Sequence, residues 1–312
     1  MGCLELSRAF FLQYAQPELE QKFPQWAPHV AAGLVGNGSE CFGYDDEISK
    51  DHDWGIDFYL WVTEEKREAI PVLAAWKRNL LERHPEVERR QQSAYGAQVG
   101  VSTVDDYYRR LIGFPRGPET IAQWRAVPQK NLAMAVNGAV FRDPAGQFTA
   151  VRAHLLEHHY PRDLRLKKIA AKCMAIAQTG QYNFDRCRKR RDWVTLRTVL
   201  ARFQSETIAL VFLLNRVFQP YYKWEFRRMT ELPILGERIG SGLRELAERS
   251  GLNELELDRQ KAVIMEICAQ LKGELQRQGL SNSDDWFLAS HGESVQSRIE
   301  DVRLRSLPVQ FE

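Results

Sequence analysis

"GSECFGYDDEISKDHDWG", residues 38–55, places six carboxylates in eighteen positions, and its flanks indicate what fold could carry them. Before it, "HVAAGLVG" (29–36) is a short apolar run ending in glycine, which predicts a buried strand. After it, "IDFYLWV" (56–62) is rich in aromatic and β-favouring residues and predicts a second strand. Asp51 and Asp53 stand at i and i+2 on the way into that strand. Side chains alternate along an extended chain, so both carboxylates would point to one face. Like charges that close cost free energy unless a cation or a proton is shared between them.

Further out, residues 4–22 read as a helix that Pro17 interrupts or restarts, and 64–83 as a helix with Pro71 awkwardly inside it. "AYGAQVGVSTV" (94–104) predicts another strand. "AVNGAVFRDPAGQF" (135–148) predicts a hairpin closed by an Asp-Pro-Ala-Gly turn. Residues 1–150 therefore alternate strands with helices, the pattern of a mixed sheet with helical cover. The character then changes. Residues 161–181 read as helix, and 184–217 as one long helix in which Leu196, Leu200, Phe203, Thr207, Leu210 and Leu214 form a stripe. A further helix near 258–278 carries Val263, Ile264, Ile267, Leu271 and Leu275 on one side. The expected architecture is α+β: a mixed-sheet domain over 1–150, an all-α helical bundle over 151–280, and a polar C-terminal tail over 281–312.

Composition narrows the function classes. The 312 residues are 44% hydrophobic and 27% charged, close to globular norms, which argues against disorder. A net charge of +2 gives no field that would favour nucleic acid or a membrane surface as partner. The longest apolar run, "IALVFLL" (208–214), falls far short of the ~18 residues that span a bilayer. The opening "MGCLELSRAFF" lacks a secretory pattern, and Ser7 falls one place beyond where a myristoylation signal wants Ser or Thr. Five scattered cysteines without a CxxC pair fit a reduced cytoplasm better than a disulfide framework or a zinc site.

In the quoted stretch each part has a physical job. Glycines after a strand let the backbone turn sharply and approach a ligand closely. Ser39 adds a hydroxyl donor, and a helix starting there would aim its positive end at a phosphate. Asp51 and Asp53 offer the hard oxygen ligands that Mg²⁺ or Mn²⁺ accepts while phosphate oxygens fill the rest of the shell. Two such ions would clamp the attacking and leaving oxygens of a nucleotidyl displacement.

Gly-Ser followed at this distance by Asp-x-Asp resembles the signature of the nucleotidyltransferases typified by DNA polymerase beta, the CCA-adding enzymes and kanamycin nucleotidyltransferase. "GSECFG" and "SKDHDWG" match the two elements of the minimal members. Over most of its length, including "FLLNRVFQPYYKWEFRRM" (212–229), the chain is also similar to an uncharacterised bacterial family placed in that superfamily. The resemblance implies transfer of a nucleoside monophosphate from ATP or another NTP to a hydroxyl, pyrophosphate leaving, with Gly38 and Ser39 on the triphosphate and Asp51 and Asp53 on the metals. The acceptor is expected to be a small molecule rather than nucleic acid. The alternative is a catalytically silent nucleotide-binding or regulatory protein of the same fold.

The sequence departs from that signature at His52 and at Trp54-Gly55, where aliphatics are common. The superfamily's third carboxylate is not fixed by any motif. Asp105 reads as the N-cap of "DDYYRRLIG", Asp143 as turn chemistry, and Glu206 as either a general base or the partner of Arg202 at i, i+4. Asp57 lies ~13 Å beyond Asp53 along an extended strand and cannot share its ion. Asp45, Asp46 and Glu47 read as a solvated loop, and His52 as structural. Within "YYKW" (221–224), Lys223 is a candidate phosphate contact and the rings a candidate stacking surface. "HLLEH" (154–158) has the inverted zinc-protease spacing but reads better as a helix-end histidine cluster, and "RCRKRRDW" (186–193) as a solvated basic face.

Overall fold

The computed structural model describes residues 2–51, 54–88, 90 and 100–312, with Lys50 and Asp51 described by backbone alone. It is an α+β structure that divides into two compact units, Met1–His158 and His159–Glu312.

The first unit is built on a four-stranded mixed sheet of β1 (Val30–Leu34), β2 (Tyr59–Val62), β3 (Val101–Thr103) and β4 (Ala139–Arg142), in the order β3-β2-β1-β4. β1 runs antiparallel to both β2 and β4, and β2 runs parallel to β3. Period-two alternation sends Phe58, Leu60 and Val62 into a core with Phe10, Phe11, Leu19, Leu73 and Trp76. Tyr59 and Trp61 take the opposite face, among Tyr107, Tyr108 and Phe148. Each fully buried side chain of this size contributes roughly 1.5–3 kcal/mol, so the two faces together specify the register. Gly33 lies where β1 meets β4; a Cβ there would press on the Ala139 carbonyl at 2.5 Å.

Several expectations need correction. Pro71 stands in the first turn of the helix Ile70–Glu82, where its missing N–H costs nothing. The turns before it, Glu64–Ala69, are 3₁₀. The Asp-Pro-Ala-Gly turn does close, with Gly146 N donating to Asp143 O at 3.1 Å, but it leads into the helix Gln147–His158. No hairpin forms, because β4 finds its partner in β1, about a hundred residues earlier. The cap of the helix Val104–Ile112 is Thr103, whose hydroxyl accepts from Asp106 N at 3.0 Å, not Asp105. The third strand is described only from Val101, and residues 94–99 of that predicted element lie outside the described residues.

In the second unit the stripe Leu196, Leu200, Phe203, Thr207, Leu210 and Leu214 is buried along the helix Trp193–Asn215. The predicted helix 184–217 is in fact two. Phe184–Arg190 ends on Arg191 in the left-handed region, and Asp192 starts the next by accepting from Thr195 N at 3.1 Å. Residues 281–312 are not a loose polar tail. The helix Leu288–Gln296 packs on Arg162–Ile176, so closely that a Cβ on Gly292 would meet Ala170 O at 2.8 Å. Leu288, Val295, Ile299 and Leu304 are buried. The ammonium of Lys167, fully buried, donates to Gln296 Oε1 at 2.6 Å and to Pro308 O at 2.7 Å. The segment's average polarity conceals apolar residues spaced for one face.

Candidate functional site

Antiparallel pairing decides where the motif elements go. Gly33 of β1 pairs with Tyr59 of β2, so the chain leaving β1 and the chain entering β2 lie at the same end of the sheet. Gly38-Ser39 follows the one and Asp51 precedes the other.

Gly36, at φ 148°, is bracketed by Asn137, whose Oδ1 accepts from Gly36 N at 3.1 Å and whose Nδ2 donates to Gly36 O. Gly38 then caps a 3₁₀ turn, Ser39–Phe42, that ends on Gly43 in the left-handed region at φ 70°. The carboxylate of Glu40 folds back under this turn and meets Arg90 Nη1 at 2.5 Å; their side chains are 3% and 8% exposed. A Cβ on Gly38 would overlap that carboxylate. Gly38→Ala is therefore expected to cost about 1–3 kcal/mol, seen as a lower denaturation midpoint at unchanged slope. Unaltered stability would mean that Glu40 can swing clear.

The acidic loop is similarly anchored. Asp45 Oδ2 accepts from Cys3 N at 2.6 Å, placing negative charge at the start of the helix Cys3–Phe10, where the dipole favours it. Asp46 Oδ1 accepts from Ile48 N at 3.1 Å and from Ser49 N and Oγ at 3.0 Å, capping the 3₁₀ turn Ile48–Asp51. Past the loop, Asp57 pairs with Lys77 Nζ at 2.6 Å, side chains 9% and 7% exposed. Burial holds the Lys77 ammonium below its usual range, outweighing the pull of Asp57. Burial also pushes the Cys3 thiol up to about 11, and all five cysteines are buried thiols outside any disulfide.

The crowding of carboxylates thus has a partly structural answer. Glu40 and Asp45, together with Asp57 just beyond, tie the segment to other parts of the chain, while Asp46 caps a turn within it. Asp46 and Glu47 are exposed, as the solvated-loop reading expects, with Asp46 also capping the turn that follows; only Asp45 is half-buried, against the first helix. Asp51 ends the second 3₁₀ turn; its side chain, His52 and Asp53 lie outside the described residues. Among the described residues no group of three or more His, Cys, Asp or Glu is placed to hold a metal.

The candidates for a third carboxylate are engaged elsewhere. Asp105 faces Arg116 at 3.2 Å, and Asp143 Oδ2 accepts from Thr149 N and Oγ1, both at 2.8 Å. In the second unit, Glu206 is held by Lys172 at 2.7 Å and by Arg202 at 3.7 Å. Lys223 lies over the Trp224 ring at 5.2 Å, beside the exposed pair Tyr221 and Tyr222. His154 Nε2 lies 3.0 Å from Pro118 O, a contact to a distant loop, and His158 Nδ1 lies 2.9 Å from His154 O, a helix-end bond. In the basic run, Arg188 is drawn to Glu254 and Asp258, while Arg186 covers Tyr182.

Glu40, Arg90 and Asn137 escaped the sequence reading. Glu40 had a signal in its place directly after the serine; Arg90 and Asn137 had none, being brought in from 50 and about 100 residues away.

Residues 124–225 match the model of a domain of unknown function, DUF4037. No curated protein and no solved structure matches the chain. Among the described residues no helix is long and apolar enough to cross a membrane.

Proposed function

We propose that residues 38–53 form the nucleotide and metal site of a nucleotidyltransferase, which moves a nucleoside monophosphate, AMP from ATP in the first instance, to a hydroxyl of a small-molecule acceptor. The observation that carries this reading is the pairing of Gly33 with Tyr59, which brings the two motif-bearing segments to one end of the sheet. The donor set fits the ion as well: two carboxylates suit Mg²⁺, which keeps the rest of its shell for water and phosphate oxygens. When bound, the metal would supply charge neutralisation at the reacting phosphate.

The chain's own residues would do the rest. Backbone N–H groups at the Gly38 turn and the Ser39 hydroxyl bind phosphate oxygens, and Asp51 and Asp53 hold the ion against them. The acceptor hydroxyl attacks the α-phosphorus and loses its proton to water, the bond to the β-phosphate breaks, and pyrophosphate departs. Glu206 is given no part in this, because Lys172 and Arg202 already hold its carboxylate.

One observation favours the second reading, a nucleotide-binding protein without turnover: Asp57, Asp143 and Glu206 are each committed to protein partners, and Asp105 lies 3.2 Å from Arg116. A single experiment separates the two. ATP is expected to raise the melting temperature by about 5–10 °C at saturation with Mg²⁺ and not with EDTA. If pyrophosphate then accumulates in the presence of a cell extract, the transferase reading holds. Binding without pyrophosphate selects the silent one, and no Mg²⁺-dependent response to any NTP ends both.

A further inference from the structure

We propose that Glu40 and Arg90 are positioning residues, whose buried ion pair braces the Gly38–Ser39 turn in the shape that receives phosphate. Arg90 is fixed to the arm entering β2: its N–H donates to Ile56 O at 3.3 Å, and Ile56 N donates to Glu88 O at 2.7 Å. Glu40 belongs to the arm leaving β1. The 2.5 Å contact between them therefore ties one arm of the loop to the other, directly beneath the glycine that opens the turn. A buried pair of this kind is a poor source of net stability, because stripping water from two charges offsets most of their attraction. What the pair does supply is direction: one carboxylate position, hence one path for residues 38–40.

The part of the inference that concerns phosphate rests on the function proposed above, so the test has an arm that does not need a nucleotide. The variants are Arg90→Met, Arg90→Lys and the double variant E40M/R90M. Arg90→Met leaves a buried carboxylate without its cation and is expected to lower the melting temperature by roughly 10 °C. The double variant removes both charges and regains most of that loss. Without nucleotide, amide hydrogen exchange over residues 36–43 is expected to quicken at least about tenfold in the double variant, with β1, β2 and β4 unchanged. Arg90→Lys, which keeps a cation there, restores part of the protection. In the same double variant the affinity for Mg-ATP falls at least about tenfold, since the turn must now be ordered on binding.

Wild-type exchange over 36–43 in the double variant would overturn the brace. Faster exchange with unchanged Mg-ATP affinity would overturn its link to phosphate. Should the wild-type protein fail to bind Mg-ATP at all, the nucleotide reading falls, and the exchange measurement still decides the brace.

Discussion

Asp53→Ala is expected to abolish NTP-dependent pyrophosphate release, by about 10²–10⁴-fold or more, while the protein stays folded. The second half of that expectation is what makes it informative. Asp51 and Asp53 are two like charges two residues apart, approaching a strand whose core contacts come from Phe58, Leu60 and Val62. Removing one charge relieves repulsion in the metal-free protein, so its melting temperature should hold or rise slightly. The stabilisation by Mg-ATP should vanish together with turnover. A loss of activity that merely tracked unfolding would point to structural acids, and undiminished turnover would remove Asp53 from the site. Titration of Mn²⁺ followed by its paramagnetic signal gives a readout independent of the acceptor.

Lys77→Met carries the largest expected cost to stability. It strands Asp57 in the interior, where the 2.6 Å partner was its main compensation. Breaking such a pair from one side costs about 3–5 kcal/mol, a large fraction of the ~5–15 kcal/mol that holds a typical domain together. The double variant D57N/K77M should recover the larger part. An asparagine Oδ1 can still accept from Phe58 N, as Asp57 does now at 2.8 Å. Chemical denaturation of the wild type, Lys77→Met, Asp57→Asn and the double variant closes the cycle. A single-variant loss below about 1 kcal/mol would show that water reaches Asp57 and that the pair behaves as a surface contact.

The residues that could be read in the sequence are those whose partners lie close along the chain. Phe58, Leu60 and Val62 alternate with Tyr59 and Trp61, and that period alone assigns them to opposite faces. The stripe from Leu196 to Leu214 is equally local. The failures are of two kinds. At Asp143 the turn was right, but a turn says only that a strand ends, not whether a strand or a helix follows. At Arg191 and Asp192 a helix break hides inside a charged run, because a capping aspartate and a solvated one look alike. The candidate site repeats the pattern. Gly38, Ser39 and the acidic pair could be named from local order, whereas the Glu40–Arg90 contact depends on a closure of 50 residues that leaves no local trace.

The anchoring of the acidic loop bears on how quickly and tightly an ion could settle there. Asp45 is fastened to the first helix, Asp46 to the turn after it and Asp57 to Lys77, so the backbone on both sides of Asp51 and Asp53 is held before any guest arrives. A site whose walls are set in advance spends little of its binding energy on ordering itself, and what is saved appears as affinity. Severing one of those fastenings at a distance, as Asp45→Ala would by removing the acceptor for Cys3 N, should loosen an ion without touching a ligand.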